Sequence, residues 1–328
     1  MKNILVVRND RFGEFILNIP AIRALKNSFS SARLNLIVSP QVKPLAQKLE
    51  FVDNVIEWDN KRNHRFFEKV NFIKFLKKQK FDLAVMLNPS KEFNIFTYLA
   101  GIPIRVGYDR KWSFLLTHKL KDLKYLGKKH EVEYNLDLVS LIGISTNDKS
   151  ILINIDKQDE IFVDNLFKKY NISESNNLVV LHPWTSDSVK QWPLENFKVL
   201  AKRLIEELFL KVIVIGGEEE RGKSGVFTSD ISDIINLTGE LTLLQAAALL
   251  KKSRLLISND SGPIHLAASV NTGVIAIFRS DLPEKSARRW GPWGEGHIII
   301  EKADLSDISV DEVFNTVRNC LRYESAIY

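Results

Sequence analysis

The stretch Ile4-Leu5-Val6-Val7-Arg8-Asn9-Asp10-Arg11-Phe12-Gly13-Glu14 decides how the rest of the chain is read. Ile4–Val7 is a short apolar run rich in β-branched residues, which predicts a buried strand. Arg8–Gly13 is a polar loop. Beyond it Phe15, Ile19, Ile22 and Leu25 recur at spacings of 4, 3 and 3, one face of a helix. A buried strand, a polar loop and a helix in immediate succession form the opening of a strand–helix–strand unit.

Working outward, the same alternation continues. Leu34–Val38 predicts a second strand, ended by Ser39-Pro40. Val55–Trp58, Leu83–Leu87 and Arg105–Gly107 follow as short strands, with a helical Phe/Lys pattern over Arg65–Lys80 between them. The second half starts again: a strand over Asn177–Leu181, and a helix over Leu194–Leu208 with Pro193 at its favoured start. Lys211–Ile215 is a strand running into Gly216-Gly217, and Ile234–Leu237 is short and extended. Leu243–Lys251 is helical, Leu255–Ser258 extended, Pro263–Ser269 helical and Val274–Phe278 extended. Two runs of strand–helix alternation predict an α/β chain with two doubly wound parallel sheets. The expected domains are 1–157 and 158–328, divided near Ile155–Glu160 and closed by an amphipathic helix over Asp311–Tyr323.

The bulk numbers agree. A length of 328 residues favours two domains. Hydrophobic residues make up 45% and charged residues 26%, as in soluble globular chains. Cys320 is the one cysteine, which rules out a disulfide framework and favours a reducing compartment. The apolar run at the N-terminus is too short for a signal peptide, and no stretch approaches the ~20 apolar residues of a membrane span. Residues 1–150 hold 26 Lys and Arg against 15 Asp and Glu, and the remainder 20 against 25. The basic half suits an anionic partner such as a phosphorylated glycolipid or a membrane surface, although abundant surface lysine accounts for it equally. Nucleic acid fits less well: there is no zinc-finger spacing, RNP-type aromatic motif or helix-turn-helix signal.

In doubly wound sheets ligands bind beyond the carboxyl ends of the strands. Three loops there carry chemistry. In Arg8–Glu14, Gly13 permits a tight backbone path and Glu14 places a carboxylate at a helix start, where the helix dipole also favours an acid. In His182–Pro193, the hydroxyls of Thr185, Ser186 and Ser188 with Lys190 suit an anionic phosphate; Trp192, abutting the helix, reads as core. In Ser258–His265, the backbone amides of Ser261 and Gly262 open a helix towards an anion, and Asp260 can accept bonds from sugar hydroxyls. His265 fits a buried histidine as well as a ligand contact. Asp260-Ser261-Gly262 lacks the flanking glycine of a hydrolase nucleophile elbow. No Gly-x-Gly-x-x-Gly or Walker lysine motif appears, and the six histidines show no metal-ligand spacing.

In this order and spacing the pieces resemble glycosyltransferase family 9, the ADP-heptose:lipopolysaccharide heptosyltransferases, along nearly the whole chain. They are Arg8…Gly13-Glu14, Pro20–Lys26, Lys190–Phe197, Gly216–Arg221, Leu237-Thr238-Gly239, Leu243…Ala247 and Asn259–Ala267. The resemblance implies a GT-B fold: two Rossmann-like domains facing a cleft, the first binding the acceptor, the second the nucleotide sugar, with the final helix packing back on the first. It implies an inverting transfer with no cofactor and no metal, and a cytoplasmic enzyme in peripheral contact with the inner membrane.

Carried over by position, Glu14 is the general base, standing where the family has Asp. Arg8, Asp10, Arg11 and Gly13 meet the acceptor. Lys190, with Thr185 and Ser186, holds the diphosphate and stabilises the leaving group; Ser261 and Gly262 hold it from the helix side. Asp260 orients the donor sugar, and His265 joins the donor site. Glu218 or Glu220 contacts the nucleoside, because the glycine loop aligns in two ways. Two other classes share the fold: a nucleotide-sugar epimerase or hydrolase, and a non-catalytic nucleotide-sugar-binding relative.

Overall fold

The computed structural model describes residues 1–173 and 178–325. The chain divides into two compact units, Met1–Ile153 and Asn154–Tyr328, so the first ends four residues before the expected 157.

The first unit holds strands β1 (Asn3–Val7), β2 (Arg33–Val38), β3 (Asn54–Glu57), β4 (Leu83–Met86), β5 (Ile104–Tyr108) and β6 (His118–Leu120) in the spatial order 3-2-1-4-5-6. The second holds β7 (Leu178–His182), β8 (Lys211–Val214), β9 (Ile235–Asn236), β10 (Leu255–Asn259), β11 (Gly273–Arg279) and β12 (His297–Lys302) in the order 12-11-10-7-8-9. Every pairing is parallel. Counted from its own first strand, the second sheet has the same order as the first. Both are doubly wound, and both reverse direction between their first and fourth strands, β1/β4 and β7/β10. Parallel strands buried on both faces read as continuous apolar runs, which is why Ile4–Val7 and Leu178–Leu181 are almost wholly enclosed.

One detail departs from the sequence reading. The first helix is two, Phe12–Ile16 and Ile19–Ser28, because Pro20 cannot donate into the preceding turn and instead opens a new helix. Asn177, expected in a strand, lies outside the described residues. The last helix, Val310–Ser325, packs against helix Leu194–Glu206: Val313, Phe314 and Val317 belong to the second unit's own core, and Asp311 pairs with Arg203 at 2.6 Å. Among the described residues no helix is long and apolar enough to cross a membrane.

Candidate active site

The reversal points β1/β4 and β7/β10 place loops 8–14 and 87–91 of the first unit, and loops 183–192 and 260–262 of the second, where a ligand can reach backbone and side chains together.

In the first unit Arg8 leaves β1 and is 3% exposed. Its Nε meets Asp10 Oδ1 at 2.7 Å and its Nη1 donates to Leu87 O at 3.1 Å, joining the ends of β1 and β4. Burial alone would lower its proton affinity; Asp10, Glu131 and Glu14 overcome this and raise it. Arg8 is therefore an internal electrostatic strut: Asp10 and a main-chain carbonyl hold its guanidinium at the end of β1, the position that the sequence reading gives to the acceptor site. Arg11 is exposed at the N-cap of helix Phe12–Ile16. Gly13 is buried inside that helix and has no positive φ, so a left-handed turn is not what the glycine serves. Glu14 occupies the first turn. Desolvation raises its carboxyl above 4.5 against the pull of Arg8, with Asp10 adding to the rise. Close by, the buried Lys124 ammonium pairs with Glu131, donates to Asn135 Oδ1 at 3.2 Å and lies 4.3 Å from the Tyr108 ring centroid. Beside the reversal point, Asn9, Asn60, Asn88, Ser90, Lys91 and Lys111 line an open cleft of about 420 Å³. The asparagines around it come from the ends of three strands and were not recognised from the sequence, because only the parallel topology gathers them.

In the second unit Lys190 Nζ meets Asp260 Oδ2 at 2.6 Å. Asp260 is 7% exposed, and burial raises its carboxyl although Lys190 pulls it down. Asp260, expected to accept bonds from sugar hydroxyls, anchors the lysine through Oδ2. Beside the pair, Lys285 Nζ meets Asp187 Oδ2 at 2.7 Å, and this hydrogen bond holds Asp187 below the usual carboxylate range. Sequence reading missed Lys285, which lies 95 residues after Lys190 and reaches the loop only through the sheet order. Asn259 stitches the two loops together: its Oδ1 accepts from Trp192 N at 2.9 Å and its Nδ2 donates to Pro183 O at 3.0 Å. Trp192 is fully buried, with Nε1 donating to Ile308 O at 2.9 Å, and is core as expected.

Ser261 Oγ lies 2.9 Å from Ser258 Oγ and 3.1 Å from His182 Nδ1. Burial pushes His182 down to about 4, so it is a neutral partner of these hydroxyls. Gly262 begins helix Gly262–Ala268, and His265 is 4% exposed within it, which makes it part of the packed body beneath the loop. Thr185 Oγ1 accepts from Asp187 N at 3.3 Å, and Ser186 is exposed.

The two glutamates of the glycine loop are held differently. Glu220 accepts from Gly217 N at 2.7 Å and is spent as a cap, whereas Glu218 is mostly exposed and pairs with Arg221 at 3.1 Å. A Cβ on Gly216 would come within 2.7 Å of the Trp184 ring, so only glycine lets that indole sit against the strand end.

The family model described as glycosyltransferase family 9 (heptosyltransferase) matches residues 70–311. A putative glycosyltransferase of Haemophilus influenzae is 26% identical over 304 residues, covering 89% of this chain and 86% of the relative. Lipopolysaccharide heptosyltransferase 2 of Escherichia coli is 23% identical over 298 residues, covering 86% and 84%. Among solved structures, the E. coli ADP-heptose lps heptosyltransferase II superposes with a TM-score of 0.83 at 20% identity, covering 99% of this chain and all of that one. Two doubly wound units of the same strand order, a carboxylate raised by burial at one reversal point, an anchored lysine at the other, and a family match over most of the chain lead to one assignment: this chain belongs to glycosyltransferase family 9 and has its GT-B fold.

Proposed function

We propose that this protein is an inverting heptosyltransferase that moves a heptose from ADP-heptose to an anionic glycolipid of the lipopolysaccharide-core type. Family membership favours a transferase over an epimerase, a hydrolase or a non-catalytic relative. The relatives named for heptosyl transfer to lipopolysaccharide supply the donor and acceptor class.

The observation that carries the reading is Glu14, a carboxyl of raised proton affinity at the helix start beyond β1. Glu14 takes the proton of the acceptor hydroxyl while that oxygen forms its bond to the anomeric carbon. The bond from that carbon to the β-phosphate oxygen breaks, the anomeric configuration inverts, and ADP departs with the bonding pair. The proton on Glu14 then passes to solvent. Arg8 and Asp10 set the field around Glu14, and Arg11 and the Asn9–Lys111 cleft receive the acceptor.

At the second reversal point Lys190, oriented by Asp260, neutralises the diphosphate, with Thr185, Ser186 and the Ser261-Gly262 backbone as further partners. Lys285 adds a second positive charge nearby. These groups carry the leaving-group charge in our reading, which needs no metal; transfer is expected to persist in chelator. Glu218 meets the nucleoside. We place the reaction in the cytoplasm, a reading supported by the lone Cys320.

Calorimetry with ADP, UDP, GDP and CDP tests the donor site. ADP is expected to bind best, and Lys190→Ala to weaken it by about 1.5–3 kcal/mol, the range for hydrogen bonds to charged groups. A preference for UDP or GDP would move the enzyme to another donor, and no binding of any nucleotide would remove the transferase reading.

A further inference from the structure

Among the described residues the first unit exposes seven large aromatics, Phe66, Phe67, Phe75, Tyr98, Trp112, Phe114 and Tyr125, and the second only Phe209. Four of the seven form two pairs. Phe66 and Phe67, 74% and 76% exposed, sit edge to face at 5.9 Å in the first turn of helix Phe66–Gln79. Trp112 and Phe114, 47% and 71% exposed, lie 5.7 Å apart after β5.

A chain of contacts links the segments that carry the two pairs. Lys69 Nζ meets Glu92 Oε1 at 2.7 Å, and the adjacent Lys91 Nζ stands 4.1 Å from the Trp112 ring centroid. Lys91 and Lys111 line the cleft together with Asn60, which directly precedes the Lys61–Phe67 segment. Lys111 and Trp112 are both held at positive φ, 50° and 66°. Bulky residues rarely adopt that region, and here two in succession do so where the indole is exposed. Between 61 and 78 there are seven basic residues, Lys61, Arg62, Arg65, Lys69, Lys74, Lys77 and Lys78, against Glu68 alone. The outward side of the helix, Phe67, Asn71, Lys74, Phe75 and Lys78, alternates aromatic and cationic groups.

We propose that this aromatic and basic face docks onto an anionic lipid bilayer, with Phe66, Phe67, Trp112 and Phe114 entering the headgroup region and the surrounding lysines and arginines meeting the lipid phosphates. The occupant follows from charge. A symmetric contact with a second copy would bring the same cations face to face, which is repulsive. An anionic surface complements them, and the half-apolar aromatic and long basic side chains suit the water–hydrocarbon boundary. Lys91 and Lys111 belong both to the cleft and to this basic surface, so docking brings the cleft near a glycolipid in the same bilayer; this last point rests on the transferase reading, whereas the docking does not.

The test is co-sedimentation of the full chain with vesicles of phosphatidylglycerol and phosphatidylethanolamine, and with vesicles of phosphatidylcholine alone. The protein is expected to bind the anionic vesicles, to release at high salt, and to leave the neutral ones unbound. The double variants F66S/F67S and W112S/F114S are each expected to lower the partition by about tenfold or more, from the apolar area withdrawn. Phe209→Ser, in the other unit, should change nothing, and circular dichroism confirms folding of every variant. No binding to anionic vesicles, equal binding to neutral ones, or unchanged binding of both double variants would overturn the proposal. A dimer in solution that the same substitutions dissolve would overturn it in favour of a second copy. ADP calorimetry on the same samples separates the two readings: vesicle binding lost with ADP binding kept sinks only the docking, and the reverse sinks only the transferase.

Discussion

The two units share one strand order and differ in almost everything their loops carry. The first is basic, holds its key carboxylate beside a buried arginine, and exposes aromatic side chains. The second is slightly acidic, ties each site lysine to an aspartate, and buries Trp184 and Trp192 beneath its loops. An identical scaffold therefore fixes where ligands arrive and leaves open which ligands they are. The roles proposed above follow this division: a proton acceptor suits a site that raises a carboxyl, as desolvation does for Glu14, and a diphosphate suits positive charge held in place, as the aspartates do for Lys190 and Lys285.

The largest expected effect separates the units by function. Glu14→Gln should lower transfer by about 10²- to 10⁴-fold, the range for losing a general base, while ADP affinity stays within error. Because a base must be deprotonated and Glu14 is raised above 4.5, kcat/KM should climb with pH through a value above that of a free glutamate. Glu14→Asp, which restores the residue usual in the family, should retain part of the rate; if Glu14→Gln turned over normally, the base would have to be sought elsewhere.

The next effect concerns stability. Trp192→Ala should cost about 3–5 kcal/mol, since it empties a fully buried indole site packed 4.8 Å from Phe197 and strands the Ile308 carbonyl. Thermal unfolding should show the loss in the second unit only; an equal loss in both would mean that they unfold together.

Acid should sharpen the same contrast. His182 is lowered by burial to about 4 from 6.5. Between those values the unfolded chain binds the proton and the folded one does not, so stability falls as pH drops from about 6.5 to 4, by about 3 kcal/mol in all. His182→Asn should flatten that slope, and an unchanged slope would clear His182 as its source.

The smallest effect tests the glycine loop. Glu218→Ala should weaken ADP by about 1 kcal/mol with little change in stability, whereas Glu220→Ala, by losing the bond to Gly217 N, should cost about 0.5–2 kcal/mol of stability. The opposite pattern would exchange the two roles.

Legibility followed locality. The central strands β1, β2, β4, β7, β8, β10 and β11 were readable because buried parallel strands are apolar runs bounded by polar loops. The strands His118–Leu120 and His297–Lys302 were not: the first is three residues long and mostly polar, and the second has an apolar run of only Ile298–Ile300, two of them exposed. Site residues within a contiguous loop, such as Glu14, Lys190 and Asp260, stood out; their partnerships did not. Nothing local to Asp260 shows that Lys190, 70 residues earlier, claims its carboxylate.

By itself the sequence determined the α/β class, the two-unit division to within a few residues, the loops that carry the chemistry and the resemblance to glycosyltransferase family 9, because each depends on patterns a few residues long. Only the tertiary structure decided that Arg8 is a strut, that Glu220 is a cap, that Lys285 joins Asp187 beside Lys190, and that Lys69, Glu92 and Lys91 link the segments of the two aromatic pairs. Those are facts about which strand ends lie side by side. A doubly wound sheet makes neighbours of segments far apart in sequence, and burial and charge pairing then set what each side chain can do.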